Sequence, residues 1–202
     1  MNQIITDRRA LHTIPELEWE LPKTAEYVKN ALSGLKCQVF SPVGCAVCAY
    51  FYFGAESSIA FRADMDALPI AEKTGLPFTS AHAGKMHACG HDGHMAILLE
   101  LARRLDRKEA LPHNVLLIFQ PGEESPGGAK DICDSGVLTE YGVAAIFGLH
   151  IWPTLEKGKV FTRTNERMSH ASEVTVDIRG KSAHLAKSKD GIDAMSAAGE
   201  LH

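Results

Sequence analysis

Near the start of the chain, apolar residues recur at three- and four-residue spacing, with Tyr27, Val28, Ala31, Leu32 and Leu35 along one face. That spacing predicts one or two helices over 6–34, interrupted at Pro15 and stopped at Gly34. The rhythm then changes. Residues 36–53 read as strands turning at Ser41-Pro42, and SSIAFRAD (57–64) reads as a short buried strand running into the polar loop ADMDALP. Ile97, Leu98, Leu101 and Leu105 restore the helical period, so the stretch KMHACGHDGHMA (85–96) opens a helix. In NVLLIFQPGEE (114–124), the apolar run Val115 to Phe119 precedes Gln-Pro-Gly and two glutamates. This is the pattern of a fully buried strand ending in carboxylates. A helix closed by Gly136 is expected within 127–138, and VAAIFGLHIW (143–152) is a further buried strand running out into Gly148 and His150.

The strand, helix, strand, helix, strand order predicts an α/β fold, with a mostly parallel, doubly wound sheet and right-handed crossovers. In such sheets the loops after the strand C-termini converge on one crevice. Loops 62–69, 120–124 and 148–152 are expected to meet there, with 87–94 close by. From about residue 165 the texture changes. In 172–180, Val174, Val176 and Ile178 alternate with Thr175, Asp177 and Arg179, as in a half-exposed antiparallel strand. DGIDAMSAAGEL after it looks helical. A division into residues 1–165 and 166–202 follows. The second part holds too little core to stand alone, so either the chain is a fragment or its end borrows a partner.

Composition narrows the classes. The chain is 45% hydrophobic and 23% charged, as expected of an ordinary globular protein. A formal charge of -4 argues against a nucleic-acid-binding surface and leaves a small molecule as the expected substrate. No apolar leader core follows the basic residues of MNQIITDRRALHTIPEL, and no run of about 18 apolar residues occurs, so a cytoplasmic location without membrane contact is expected. Five cysteines, an odd number, point to free or metal-bound thiols. Cys45 and Cys48 form a C-x-x-C within a strand pattern, where residues three apart face opposite ways, and read as core cysteines.

The stretch 85–96 has four possible readings: a redox thiol, a nucleophile with its base, half of a metal site, or a polar loop. The partners elsewhere weigh among them. Glu123 and Glu124, adjacent at a strand end, can diverge so that one binds a cation and the other takes a proton from water. His150 leaves its strand toward the same crevice. Cys89 and His91 add a thiolate and an imidazole, giving a mixed S/N/O set suited to Zn, Mn, Ni or Co. Asp64 is placed to accept a hydrogen bond from a ligating histidine and fix its tautomer.

RRALHTIPEL, FRADMDALP, MHACGHDGHMA, LIFQPGEE, FGLH and GKSAH, in this order, resemble the amidohydrolase branch of the aminoacylase and carboxypeptidase group of metallopeptidases in clan MH. That branch contains hippurate hydrolases, N-acetyldiaminopimelate deacetylases and auxin-conjugate hydrolases. The resemblance implies a two-metal catalytic domain, of which residues 1–165 are the N-terminal part. It also implies a smaller ferredoxin-like α+β lid that dimerises, beginning in 166–202. The implied reaction is hydrolysis of the amide bond of N-acyl amino acids or similar conjugates by a metal-activated water. By position, Cys89, His91, Glu124 and His150 become ligands of two divalent transition ions, with the thiolate a candidate bridge. Glu123 becomes the general base and Asp64 stands behind the ligands. His184 matches a lid histidine that reaches a dimer neighbour's site and steadies the oxyanion.

Two departures accompany the match. Arg62 stands where other branches of the group place a metal-binding histidine, and Ser188-Lys189 replaces a Pro-His pair common after the lid histidine. Family members run to nearly twice this length, so the chain supplies four of five expected ligands and is expected to be inactive or nearly so by itself. The alternatives are a non-catalytic metal-binding or dimerising remnant, and a thiol hydrolase using Cys89.

Overall fold

The structure is a computed structural model that describes residues 2–124, 127–162, 164–165 and 174–200. The chain divides into two compact units, Met1–Thr154 and Leu155–His202.

In the first unit the N-terminal helical pattern resolves into α1 (Gln3–Thr13) and α2 (Pro22–Leu32), with Pro15 in the break. No side chain of the preceding residue caps α2. The buried Glu16 carboxylate does so instead, accepting from the Lys23 and Thr24 amides at 3.3 and 2.9 Å. Strands β1 (Gln38–Phe40), β2 (Val47–Phe51) and β3 (Ser58–Asp64) follow, then α3 (His91–Leu105) and β4 (Asn114–Gln120). The expected helix over 127–138 is two short ones, α4 (Gly128–Asp134) and α5 (Val137–Glu140). Gly136, at φ 81°, turns the chain between them. β5 (Val143–Gly148) completes the unit; expected as a buried strand, it is exposed along most of its length because it pairs on one side only, with β3.

The sheet has the order β1-β2-β4-β3-β5. β4, β3 and β5 are parallel, as their helical crossovers require, while β1 and β2 add an antiparallel flank. The sheet is therefore mixed, with its parallel half carrying the loops of interest. Alternation along β4 feeds two cores. Val115, Leu117 and Phe119 pack with α1, α2 and α3, whereas Leu116 and Ile118 pack with Ile132 of α4 and Val137 of α5. Helices thus cover both faces. Cys45 lies against the first core and Cys48 within the second, and burial pushes the Cys48 thiol up to about 12. All five cysteines are free.

In the second unit Lys181 and Ile192 exchange backbone hydrogen bonds at 3.0 Å and close a loop containing a 3-10 segment, Leu185–Asp190. Helix α6 (Ala194–Gly199) is capped by Asp193, which accepts from the Met195 and Ser196 amides. The strand expected over 172–180 is not formed where it can be seen. Residues 172 and 173 lie outside the described residues, and 174–180 join no ladder. Val174 and Val176 are exposed. Alternation marks a face able to pair and pack, but a strand exists only when a neighbour supplies the opposite N–H and C=O groups. Among the described residues, no helix is long and apolar enough to cross a membrane.

Candidate metal centre

The register of the parallel strands sets the site. Asp64 pairs with Gln120 on the last rung of β3 and β4, and the Met65 amide donates to the Gln120 carbonyl at 2.8 Å. The loops that follow therefore leave the sheet together, one carrying Asp66 and the other Glu123 and Glu124. α3 opens at His91 after Gly90, whose φ of 94° is the left-handed conformation that glycine adopts without strain.

His91 is the hub. Its Nδ1 donates to the Asp66 carbonyl at 2.8 Å, which fixes the proton there and leaves the Nε2 lone pair facing inward. Around Nε2 stand Asp64 Oδ2 at 3.6 Å, Glu123 Oε2 at 3.8 Å and Glu124 Oε1 at 3.8 Å. Nε2 is buried and has no hydrogen-bond partner among the described residues. A lone pair ringed by carboxylate oxygens in a buried place is unfavourable unless a cation lies among them. Burial pushes the His91 pKa down, but Asp66 and Asp64 raise it more, so the net shift is upward. The same acidic field that favours a proton favours a metal.

Among the described residues three donor groups have their ligand atoms within 4.8 Å of one another, and each contains His91: Cys89 and His150 with it, Glu123 and Glu124 with it, and Asp64 and His94 with it. His150 Nδ1 donates to the Ile151 carbonyl at 2.8 Å, which leaves Nε2 turned to Cys89 Sγ at 3.4 Å. The Cys89 thiol is pushed up to about 12, first by burial and then by the charge of Glu124, its hydrogen bond, and the charges of Glu123 and Asp64. It stays a thiol at neutral pH unless a cation offsets those carboxylates. Glu123 is raised, chiefly by burial and then by Asp64, with His91 and Arg62 opposing.

Asp64 is buried and takes a 2.6 Å hydrogen bond from His94 Nδ1 and a 2.8 Å contact from Arg62 Nη1. Burial alone would raise its pKa, but these partners and the His91 charge outweigh it and hold it at about 2. His94 Nε2 accepts from the Ile151 amide at 2.9 Å, so both His94 nitrogens are occupied in tying β3 to the loop after β5. Cys89, His91, Glu123, Glu124, His150 and Asp64 are thus brought together. His184 lies in the other unit, exposed, its Nδ1 accepting from the Ala186 amide at 3.2 Å.

Sequence reasoning missed Asp66. Its buried carboxylate accepts from the Glu123 and Glu124 amides, both at 3.0 Å, while its carbonyl orients His91. The available signal was the second aspartate of FRADMDALP, two residues beyond the strand end. It also missed the brace on α3: Asp92 accepts from His12 Nδ1 at 2.7 Å and pairs with Arg8 Nε at 2.8 Å.

A mixed α/β sheet that gathers a thiol, imidazoles and paired carboxylates at the C-terminal edge of its parallel strands has the donor set of a divalent-metal site. Residues 60–201 match the family described as Peptidase family M20/M25/M40, and the chain belongs to that family. An uncharacterized hydrolase of Staphylococcus epidermidis is 40% identical over 187 residues, covering 91% of this chain and 49% of that protein. An N-acetyldiaminopimelate deacetylase of Halalkalibacterium halodurans is 40% identical over 201 residues, 98% of this chain and 54% of the relative. Among solved structures, a Bacillus subtilis protein described as a dinuclear metal-binding peptidase of the M20 family aligns with a TM-score of 0.72 at 40% identity, covering 75% of this chain and 43% of that one. The chain spans about half the length of the curated relatives it matches.

Proposed function

We propose that the chain carries the metal-holding half of an amidohydrolase that cleaves the amide bond of N-acyl amino acids or similar conjugates. The observation that carries this reading is the buried, unpartnered His91 Nε2 facing three carboxylate oxygens. Cys89, His91, Glu124 and His150 would hold two divalent transition ions, of Zn, Mn, Ni or Co type, which supply Lewis acidity when bound. Glu123 is left as the proton carrier. Its carboxylate takes the proton of the attacking water and passes it to the departing amine, and its raised pKa suits both halves of that task. Asp64 and Asp66 hold the donors in place. His184, with Nδ1 accepting, presents Nε2–H as a donor suited to an oxyanion, in keeping with a lid histidine acting in a homodimer. The Halalkalibacterium relative, named for deacetylation of an N-acetyl amino acid, supports the substrate class.

Residues 1–165 belong, in this reading, to the catalytic domain and 166–202 to the lid. Chain purified without chelator is expected to contain stoichiometric transition metal by elemental analysis. Glu123→Gln, in a protein completed to the length of its relatives, keeps the metal and loses 100-fold or more of its turnover of N-acetyl or N-benzoyl amino acids, on the order expected for a proton-transfer residue. A folded, metal-free chain sinks the proposal. A second reading rests on the 3.4 Å approach of Cys89 to His150, which could pair a nucleophile with its base. The upward shift of the thiol weighs against it. Stoichiometric alkylation of Cys89, unaffected by EDTA, would favour it.

A further inference from the structure

The link between α1 and α2 touches both loops that carry the site. The Ala67 amide donates to the Glu16 carbonyl at 2.7 Å, and the Gly122 amide donates to the Glu18 carbonyl at 2.9 Å. Trp19 follows, its ring set against glycine backbones. A Cβ added at Gly122 would lie 3.1 Å from Trp19 Nε1, one at Gly128 3.3 Å from Cζ2, and one at Gly44 3.0 Å from Cε3 and Cζ3. The Gly122 carbonyl in turn accepts from the Gly127 and Gly128 amides at 3.0 and 2.8 Å. Glu18 has a φ of 55°, a left-handed conformation that a residue with a side chain keeps only where its surroundings determine it. Among the described residues this link contributes no donor to the centre.

We infer that the Glu18–Trp19 turn is a positioning element for the Glu123–Glu124 pair. The Glu18 carbonyl and the Trp19 ring hold Gly122, the residue immediately before the pair, and Asp66 then fixes the next two amides. The two carboxylates are thereby aimed at His91 before a cation arrives. The inference rests on the reading of Glu124 as a ligand and Glu123 as the base, and Trp19 acts through them without touching metal or substrate.

The test compares the chain with Trp19→Ala, Trp19→Phe and Gly44→Ala, the last setting a methyl 3.0 Å from the Trp19 ring at a φ of 48°, so that its local backbone strain is judged against the same α2 amides. Two quantities are read: Co2+ affinity from the visible spectrum, and amide hydrogen exchange at Gly122, Glu123 and Glu124 in the metal-free chain. Trp19→Ala is expected to weaken Co2+ binding by about tenfold, the scale seen when a group supporting a ligand is removed. It should speed exchange at those three amides while Val28 and Leu32 in α2 remain protected. Trp19→Phe should restore most of the affinity, and Gly44→Ala should fall between, carrying the test if Trp19→Ala fails to fold. Unchanged affinity and exchange in Trp19→Ala and Gly44→Ala overturn the inference. So does acceleration spread evenly over the sheet without rescue by Phe, which marks a purely structural tryptophan. A parent chain that binds no Co2+, while Trp19→Ala still loosens these amides, refutes the metal reading and upholds the positioning role.

Discussion

At the scale of single residues, the site is a set of opposed pressures on charge. Burial raises Glu123, and Asp64 and Glu124 add to it. In the metal-free chain Glu123 should therefore ionise at a pH above the ordinary carboxylate value of about 4.3, read from its carboxyl carbon shift in an NMR titration. Asp64 is shifted the other way, to about 2 from 3.8. Its contribution to stability is complete above pH 3.8 and is lost as pH falls toward 2. Asp64→Asn should therefore cost about 2 kcal/mol at neutral pH, measured by urea denaturation, with the difference shrinking through that window. The donors themselves were legible in sequence because thiol, imidazole and adjacent carboxylates are uncommon at strand ends. Asp66 was not, because its work is done by one carbonyl and two accepted amides. Those depend on where two loops leave the sheet, not on residue type alone.

At the scale of elements, the period of the apolar residues foretold α3, β3 and β4 because each buries a face that the spacing makes visible. The caps were less legible. Glu16 stands six residues before α2 yet satisfies the orphan amides of its first turn, a contact available only once the chain has folded back at Pro15. Glu16→Ala should destabilise the chain by about 1 kcal/mol or somewhat more, read from its thermal midpoint, since a lost cap leaves those donors unpaired. Over 174–180, the described part of the strand expected at 172–180, no ladder forms, for the complementary reason. Its alternation is real, but period describes one strand and a sheet needs two. The same limit hid the antiparallel flank, because nothing in the spacing of β1 and β2 states which neighbour they will choose.

At the scale of the whole molecule, β5 is, with β1, one of the two edges of the sheet among the described residues, and Ile146, Phe147 and Leu149 on and beside it are about half exposed. An apolar strand with unpaired N–H and C=O groups is a template for association. The chain is expected to self-associate with rising concentration. Ile146→Lys, which places a charge on that edge, should reduce the associated fraction seen by light scattering without altering the circular dichroism of the fold.

The last rung of β3 and β4 has a thermodynamic meaning as well. Because Asp64 and Gln120 end their strands in register, the donors are assembled by the same ladder that closes the core. In a zinc finger, cation binding and folding are one equilibrium. Here the strand ladder and core place the donors, so folding and cation binding are expected to be separate equilibria, coupled through the repulsion among the carboxylates. Chelation should therefore empty this protein as one empties a vessel, leaving a scaffold that refills without refolding.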